Sequence, residues 1–196
     1  MSLAESLAVD LFLRFVELRP PKGRECDDLI EVAEGLRGVV DAFLVTDNTG
    51  ALMTMCPRVL GRRLVETGHD VVLHVSCRDR NRLALQSQVL GASAEGLDTF
   101  LVTRGSATVF GDHPQAADVS DLEPWELLLG LRALNSGRDM AGKLLQDDGL
   151  LPQLSGGAQI NPWLAGEELR CELGEAERKV GAGARFLITP PVHDVG

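Results

Sequence analysis

Short apolar runs alternate with stretches of helical spacing along most of this chain. Leu11 to Leu18 is apolar and strand-like, and Arg19-Pro20-Pro21 stops its regular pairing. Asp27 to Leu36 has a helical period in Leu29, Ile30, Val32, Ala33 and Leu36. Asp41 to Val45 reads as a second strand. Pro57 opens the next helix, at the first position, where its missing N–H has no helical partner to lose. Asp70 to Val75 is a third strand, and Asp79 to Ala94 a long helix with Leu83, Gln86, Leu90 and Ala94 along one side. Thr99 to Thr103 is a fourth strand and Leu122 to Leu134 a helix. Gly157 to Ile160 is a fifth strand, Glu167 to Val180 a helix, and Arg185 to Thr189 a sixth strand. Asn135 to Gly156, with Gly137, Gly142, Gly149, Gly156 and Pro152, is the expected flexible stretch.

This is a repeated β-α pattern whose short apolar strands suit burial on both faces, so it implies a parallel sheet with helical crossovers. A barrel and a doubly wound sheet both stay open on periodicity. The absence of a GxGxxG after a strand counts against the second. Polar residues gather just after the strand ends: Glu17, Thr46-Asp47-Asn48, His74 to Arg78, Arg104-Gly105-Ser106, Asn161 and Thr189. In α/β barrels the site lies at the C-terminal ends of the strands, so one rim collects these groups.

Composition narrows the classes. The chain has 196 residues, 44% hydrophobic and 24% charged, which fits one domain with a real core. With six Phe, two Trp and no Tyr, that core rests on Leu, Val and Ala. The net charge of −10 argues against nucleic acid or an anionic membrane as partner. No apolar run reaches the roughly 20 residues of a membrane span. The start of the chain carries Glu5 and Asp10 and no basic segment, unlike a signal peptide. Cys26, Cys56, Cys77 and Cys171 form no CxxC, so neither a disulfide framework nor a zinc site is expected. They are expected as buried thiols, and the location as cytoplasmic.

The segment His74-Val75-Ser76-Cys77-Arg78-Asp79-Arg80-Asn81 resembles the third-strand motif of the methylenetetrahydrofolate reductase family. Gly111-Asp112-His113-Pro114-Gln115-Ala116 resembles the loop after that family's fourth strand, and Phe15-Val16-Glu17-Leu18 with Pro20-Pro21 its first strand. Arg178-Lys179-Val180 and Gly183 to Thr189 resemble its fifth helix and sixth strand. The resemblance runs from about Phe12 to Asp194. It implies a (β/α)₈ TIM-type barrel, apparently incomplete at about six β/α units, in a single domain. It also implies FAD at the C-terminal rim, NADH or NADPH as donor, and hydride transfer to 5,10-methylenetetrahydrofolate. The cofactor then carries the hydride, and the protein positions and polarises.

The resemblance assigns roles residue by residue. Glu17 matches the general acid, a role that suits a carboxyl whose crowded setting lets it hold a proton near neutrality. Thr46, Asn48 and His74 match flavin-lining positions. Arg104 and Gly105 match the flavin-contacting pair after the fourth strand, where glycine admits close approach and arginine neutralises or polarises. Arg178 and Lys179 match residues holding the ADP part of FAD. Arg78, Asp79 and Arg80 read as structural, with Asp79 suited to a helix first turn or cap.

Three departures bear on activity. The family's Asp after the fourth-strand glycine is Ser106 here, which supplies no negative charge. Its sixth-strand Gln falls at Pro190, which has no side-chain donor or acceptor. The sequence stops at Gly196, two units short of a full barrel. Open sheet edges predict a homo-oligomer or a partner subunit that covers them. Three readings follow: a flavin-dependent reductase of one-carbon metabolism acting on a folate-type substrate, a non-catalytic or electron-relay flavin subunit, and a barrel that serves only assembly.

Overall fold

The computed structural model describes residues 3–7, 12–146 and 150–190. Leu11 and Asp194, bounds of two expectations above, lie outside them. The elements in chain order are α1 (Leu3–Ser6), β1 (Phe15–Leu18), α2 (Asp27–Gly35), β2 (Ala42–Val45), α3 (Pro57–Glu66) and β3 (Val71–Ser76). They continue with α4 (Arg82–Ser93), β4 (Thr99–Thr103), α5 (Pro124–Asn135), β5 (Ser155–Gln159), α6 (Gly166–Ala182) and β6 (Leu187–Ile188).

All six strands are parallel and lie in the order β1-β2-β3-β4-β5-β6. A doubly wound sheet reverses its strand order at a switch point. This sheet never reverses, and it curls into a half-barrel. The strands at its two edges are short, four residues in β1 and two in β6, which limits the unpaired backbone presented.

Period-2 alternation gives the sheet two different faces. Leu18, Phe43, Val45, Leu73, Val75, Phe100, Val102 and Ala158 face outward into the main core, against Leu60, Leu64, Leu85, Val89, Leu127 and Leu131 of the helices. The concave face holds a second, smaller cluster of Ala42, Leu44, Val72 and Leu101. It is plugged by Leu3 and Leu7 from the N-terminal turn and by Phe15, Phe186 and Ile188. Each fully buried leucine contributes about 1.5–3 kcal/mol relative to exposure. The concave face therefore has an apolar floor, and the polar strand ends stand above it.

Several elements depart from the sequence expectations. The apolar run expected as Leu11 to Leu18 is regular only from Phe15, and the sixth strand shrinks to Leu187–Ile188. Helix α4 starts at Arg82, not Asp79, because Asn81 caps it by accepting the Ala84 N–H at 3.0 Å. Its buried side is Leu85, Val89 and Ala92, whereas Leu83 is 75% exposed. The ends of the stretch expected to be flexible are tied together, and Asp147, Asp148 and Gly149 within it lie outside the described residues. The Asn135 amide group donates to the Leu154 carbonyl and accepts its N–H, both at 2.8 Å.

Candidate functional site

The rim forms where β1 to β5 end. Glu17, Asp47, Asn48, Thr49, Gly50, His74, Thr103, Arg104, Gly105, Ser106 and Gln159 line one cavity of about 280 Å³ there. Six of the residues nominated from sequence are thus brought together: Glu17, Asn48, His74, Arg104, Gly105 and Ser106. Glu17 is exposed rather than crowded, which removes the setting expected for it. Thr46 lies beside the cavity but does not line it. Its side chain is buried, and its Oγ1 has no hydrogen-bond partner.

His74 is buried at 6% exposure, and its Nε2 also lacks a partner. Burial pushes its pKa down to about 4, against the opposing charge of Asp47. The imidazole is therefore neutral at pH 7, a hydrogen-bonding group rather than a cation.

The walls are fixed by ion pairs among the loops. Asp47 accepts from the Ser76 N–H at 3.0 Å and from both arms of Arg80. Arg78 makes a two-armed pair with Asp79, at 2.6 Å each, and donates to the Ser106 carbonyl at 2.9 Å. Asn48, at φ +46°, donates to Asp79 at 3.2 Å and accepts the Thr54 N–H at 3.0 Å. Gly105 has φ +85°, and a Cβ there would strike Ser76 Oγ and crowd Arg78, so the close approach needs glycine. Arg78 and Arg80 are thus tied to carboxylates of these loops, and Asp79 braces Arg78 and Asn48 instead of capping a helix.

Arg104 is already engaged, with Glu123 at the start of α5 as its partner (Nη1 to Oε1 3.0 Å). Ser106 contributes its carbonyl to Arg78, and its position carries no carboxylate. Arg178 and Lys179 diverge. Arg178 pairs with Glu175 at 2.8 Å and borders a separate groove with Trp125 and Leu129. Lys179 turns to the sheet, donates to the Gln159 carbonyl at 2.8 Å, and lines a neighbouring cavity of about 390 Å³ with Pro190.

A third, small cavity of about 160 Å³ lies between Asn48, Arg78, Asp79 and the Thr108 to Ala116 loop. Asp112 in that loop joins Lys22, His113 (2.8 Å) and the Met53 N–H (3.1 Å). Lys22, then His113 and the Met53 N–H, hold its carboxyl well below the usual carboxylate range.

Cysteine placement corrects the expectation of four buried thiols: Cys56 and Cys171 are exposed, and Cys26 and Cys77 are buried. Burial, reinforced by Glu123, pushes the Cys77 thiol up to about 12, so it is no nucleophile. Among the described residues no group of three or more His, Cys, Asp or Glu could hold a metal ion. No helix among them is long and apolar enough to cross a membrane. Gln159 was not nominated from sequence. Its only cue was its place two residues after Gly157 on the same strand face.

No protein-family model matches this chain, and no curated protein matches it. Among solved structures it is similar to an uncharacterized protein from Clostridium thermocellum that binds two copies of 5-methyl-5,6,7,8-tetrahydrofolic acid. The superposition has a TM-score of 0.53 at 16% identity and covers 92% of this chain and 55% of that one. The chain thus spans about half of that protein's length, and the likeness is one of fold.

Proposed function

We propose that this chain binds a folate-type ligand at the half-barrel rim, as a protein of one-carbon metabolism. The observation that carries the reading is the convergence of Glu17, Asn48, His74, Arg104, Gly105 and Ser106 on one cavity. A folate-binding protein of similar fold supports it. The chemistry of a pterin suits these walls. Its N3–H and 2-amino group donate as a pair, and Glu17 offers a carboxylate to receive them. Its carbonyl and ring nitrogens need neutral partners, which Asn48, Gln159 and His74 supply.

The finer reading is a flavin-dependent reductase resembling methylenetetrahydrofolate reductase. FAD when bound would supply hydride. Glu17 would protonate the leaving nitrogen as the imidazolidine ring opens, so that the C–N electron pair stays on nitrogen and takes the proton. Asn48, His74, Arg104 and Gly105, which the resemblance gives to the flavin, share the rim cavity, and Thr46 does not line it. The cavity of about 280 Å³ lies below the ~300–1,000 Å³ usual for ligand pockets. The ADP end does not fit as expected, because Arg178 and Lys179 face different grooves. Ser106 and Pro190 also remove two groups the reductase reading relies on.

Titration calorimetry with 5-methyltetrahydrofolate tests the main reading, with micromolar or tighter one-to-one binding expected. No binding up to millimolar ligand sinks it. The visible spectrum of the purified protein tests the finer one. Stoichiometric bound FAD supports the reductase, whereas a colourless protein that binds folate but refuses added FAD leaves folate binding alone.

A further inference from the structure

One side chain behind the rim cavity reaches two of the loops that wall it. Arg78 follows β3, has 4% of its side chain exposed, and does not line the cavity of about 280 Å³. Its Nε and Nη2 donate to the Asp79 carboxylate at 2.6 Å each, and its Nη1 donates to the Ser106 carbonyl at 2.9 Å. Its Nη2 also points at the Asn48 carbonyl, at 3.5 Å. Asp79 in turn accepts from the Asn48 side-chain amide at 3.2 Å. Asn48 belongs to the loop after β2 and Ser106 to the loop after β4, and both line the cavity. Gly105, also in its lining, lies against Arg78: a Cβ there would come within 3.1 Å of the Arg78 Cβ.

The main chain of Arg78 holds the far end of the same β4 loop. Its carbonyl accepts the N–H groups of Val119 at 2.8 Å and of Ser120 at 3.1 Å. One residue thus grips this loop twice, by its side chain at Ser106 and by its main chain at Val119 and Ser120. Only the first grip depends on the guanidinium. Its planar fork of donors meets a carboxylate and two carbonyls at fixed angles, which a point-charge ammonium or an apolar chain cannot do. Buried and charge-assisted, these bonds are strong ones.

We propose that Arg78 is the positioning residue of the rim cavity. Without touching a ligand, it sets Asn48 and Ser106, from two separate loops, at the spacing the ligand meets. The proposal rests on the rim cavity being the ligand site. Half of its test stands whether or not that ligand is a folate.

That half is amide hydrogen exchange on the full chain, wild type against Arg78→Met. Ala51 and Thr54 report on Asn48, whose carbonyl and side-chain oxygen accept their N–H groups at 3.0 Å each. Phe110 and Gly111, bonded to the Ala107 and Thr108 carbonyls, report on the near part of the β4 loop. Exchange at these amides is expected to speed about tenfold or more, while Val119 and Ser120, held by main chain, stay within about threefold. Titration with 5-methyltetrahydrofolate is the other half, and affinity is expected to fall about tenfold or more. Asp79→Ala keeps the test decisive should Arg78→Met not fold. It cuts the route to Asn48 alone, so Ala51 and Thr54 should speed while Phe110 and Gly111 hold. Equal speeding at all these amides in Arg78→Met, Val119 and Ser120 included, overturns the proposal, because Arg78 then serves the fold as a whole. Unchanged exchange overturns it too, as do loosened loops with unchanged folate affinity. If the wild type binds no folate, the folate reading falls, and the amides still decide whether Arg78 sets the two walls.

Discussion

Asp47 receives both arms of the Arg80 guanidinium, at 2.6 and 3.2 Å, with only 1% of its own side chain exposed. The pair bridges the loops after β2 and β3, and Asp47 also takes the Ser76 N–H at 3.0 Å. Removing one member of a buried pair leaves the other charge stranded, at a cost of about 3–5 kcal/mol. Asp47→Asn is therefore expected to lower stability in urea unfolding by about 3 kcal/mol. An Asp47→Leu/Arg80→Met double variant should recover much of that loss. A single-variant loss below about 1 kcal/mol would show that the pair is not what holds the rim.

His74 gives stability a pH dependence. Burial holds its folded pKa near 4, whereas the ordinary value is 6.5. Between those values the unfolded chain takes up a proton that the folded chain refuses. The contribution is complete above pH 6.5 and drains away as pH falls toward 4, a swing on the order of 3 kcal/mol. Urea midpoints measured from pH 7 to 4 should decline through this window. His74→Gln should flatten the decline, and an unchanged slope would rule His74 out as its source.

Strands β2, β3 and β4 were legible in the sequence because burial on both faces writes a continuous apolar run, and Thr99 to Thr103 matches the observed strand at both ends. The start of β5 was hidden because Ser155, Gly156 and Gly157 carry no apolar side chain to mark it. The buried side of α4 was misjudged because a short helix with apolar residues all round has no single stripe. Packing selected Leu85, Val89 and Ala92. At the site, collecting polar strand ends onto one rim worked because parallel order fixes where those ends lie. The Arg178–Lys179 pair failed as a unit because neighbours on a helix point about 100° apart. Only contact with the sheet decides which of the two turns inward.

The glycines of β5 carry their own prediction. A Cβ on Gly157 would enter the Phe186 ring on the concave side, and one on Gly156 would meet Leu128 at 2.5 Å on the helix side. Gly157→Ala is expected to destabilise by about 1–3 kcal/mol, the usual range for overpacking. Adding Phe186→Leu should return part of it, since the clash is with the ring. Thermal unfolding of the single and double variants decides. A double variant less stable than the sum of the two single losses would contradict the shared contact.

Glu17 separates the two roles its place allows. It lines the cavity and is exposed, so it can reach a ligand without a burial penalty. Glu17→Gln keeps the shape and loses the carboxylate. If Glu17 is the proton donor of a reductase, kcat for methylenetetrahydrofolate should fall about 10²–10⁴-fold, and folate affinity should stay within about threefold. If it anchors the pterin by receiving two N–H donors, affinity itself should fall about tenfold or more, because an amide offers one acceptor and one unwanted donor. Steady-state kinetics and titration on the same variant tell these apart. A variant that keeps both turnover and affinity would remove Glu17 from the site and leave His74, Asn48 and Gln159 to hold the ring.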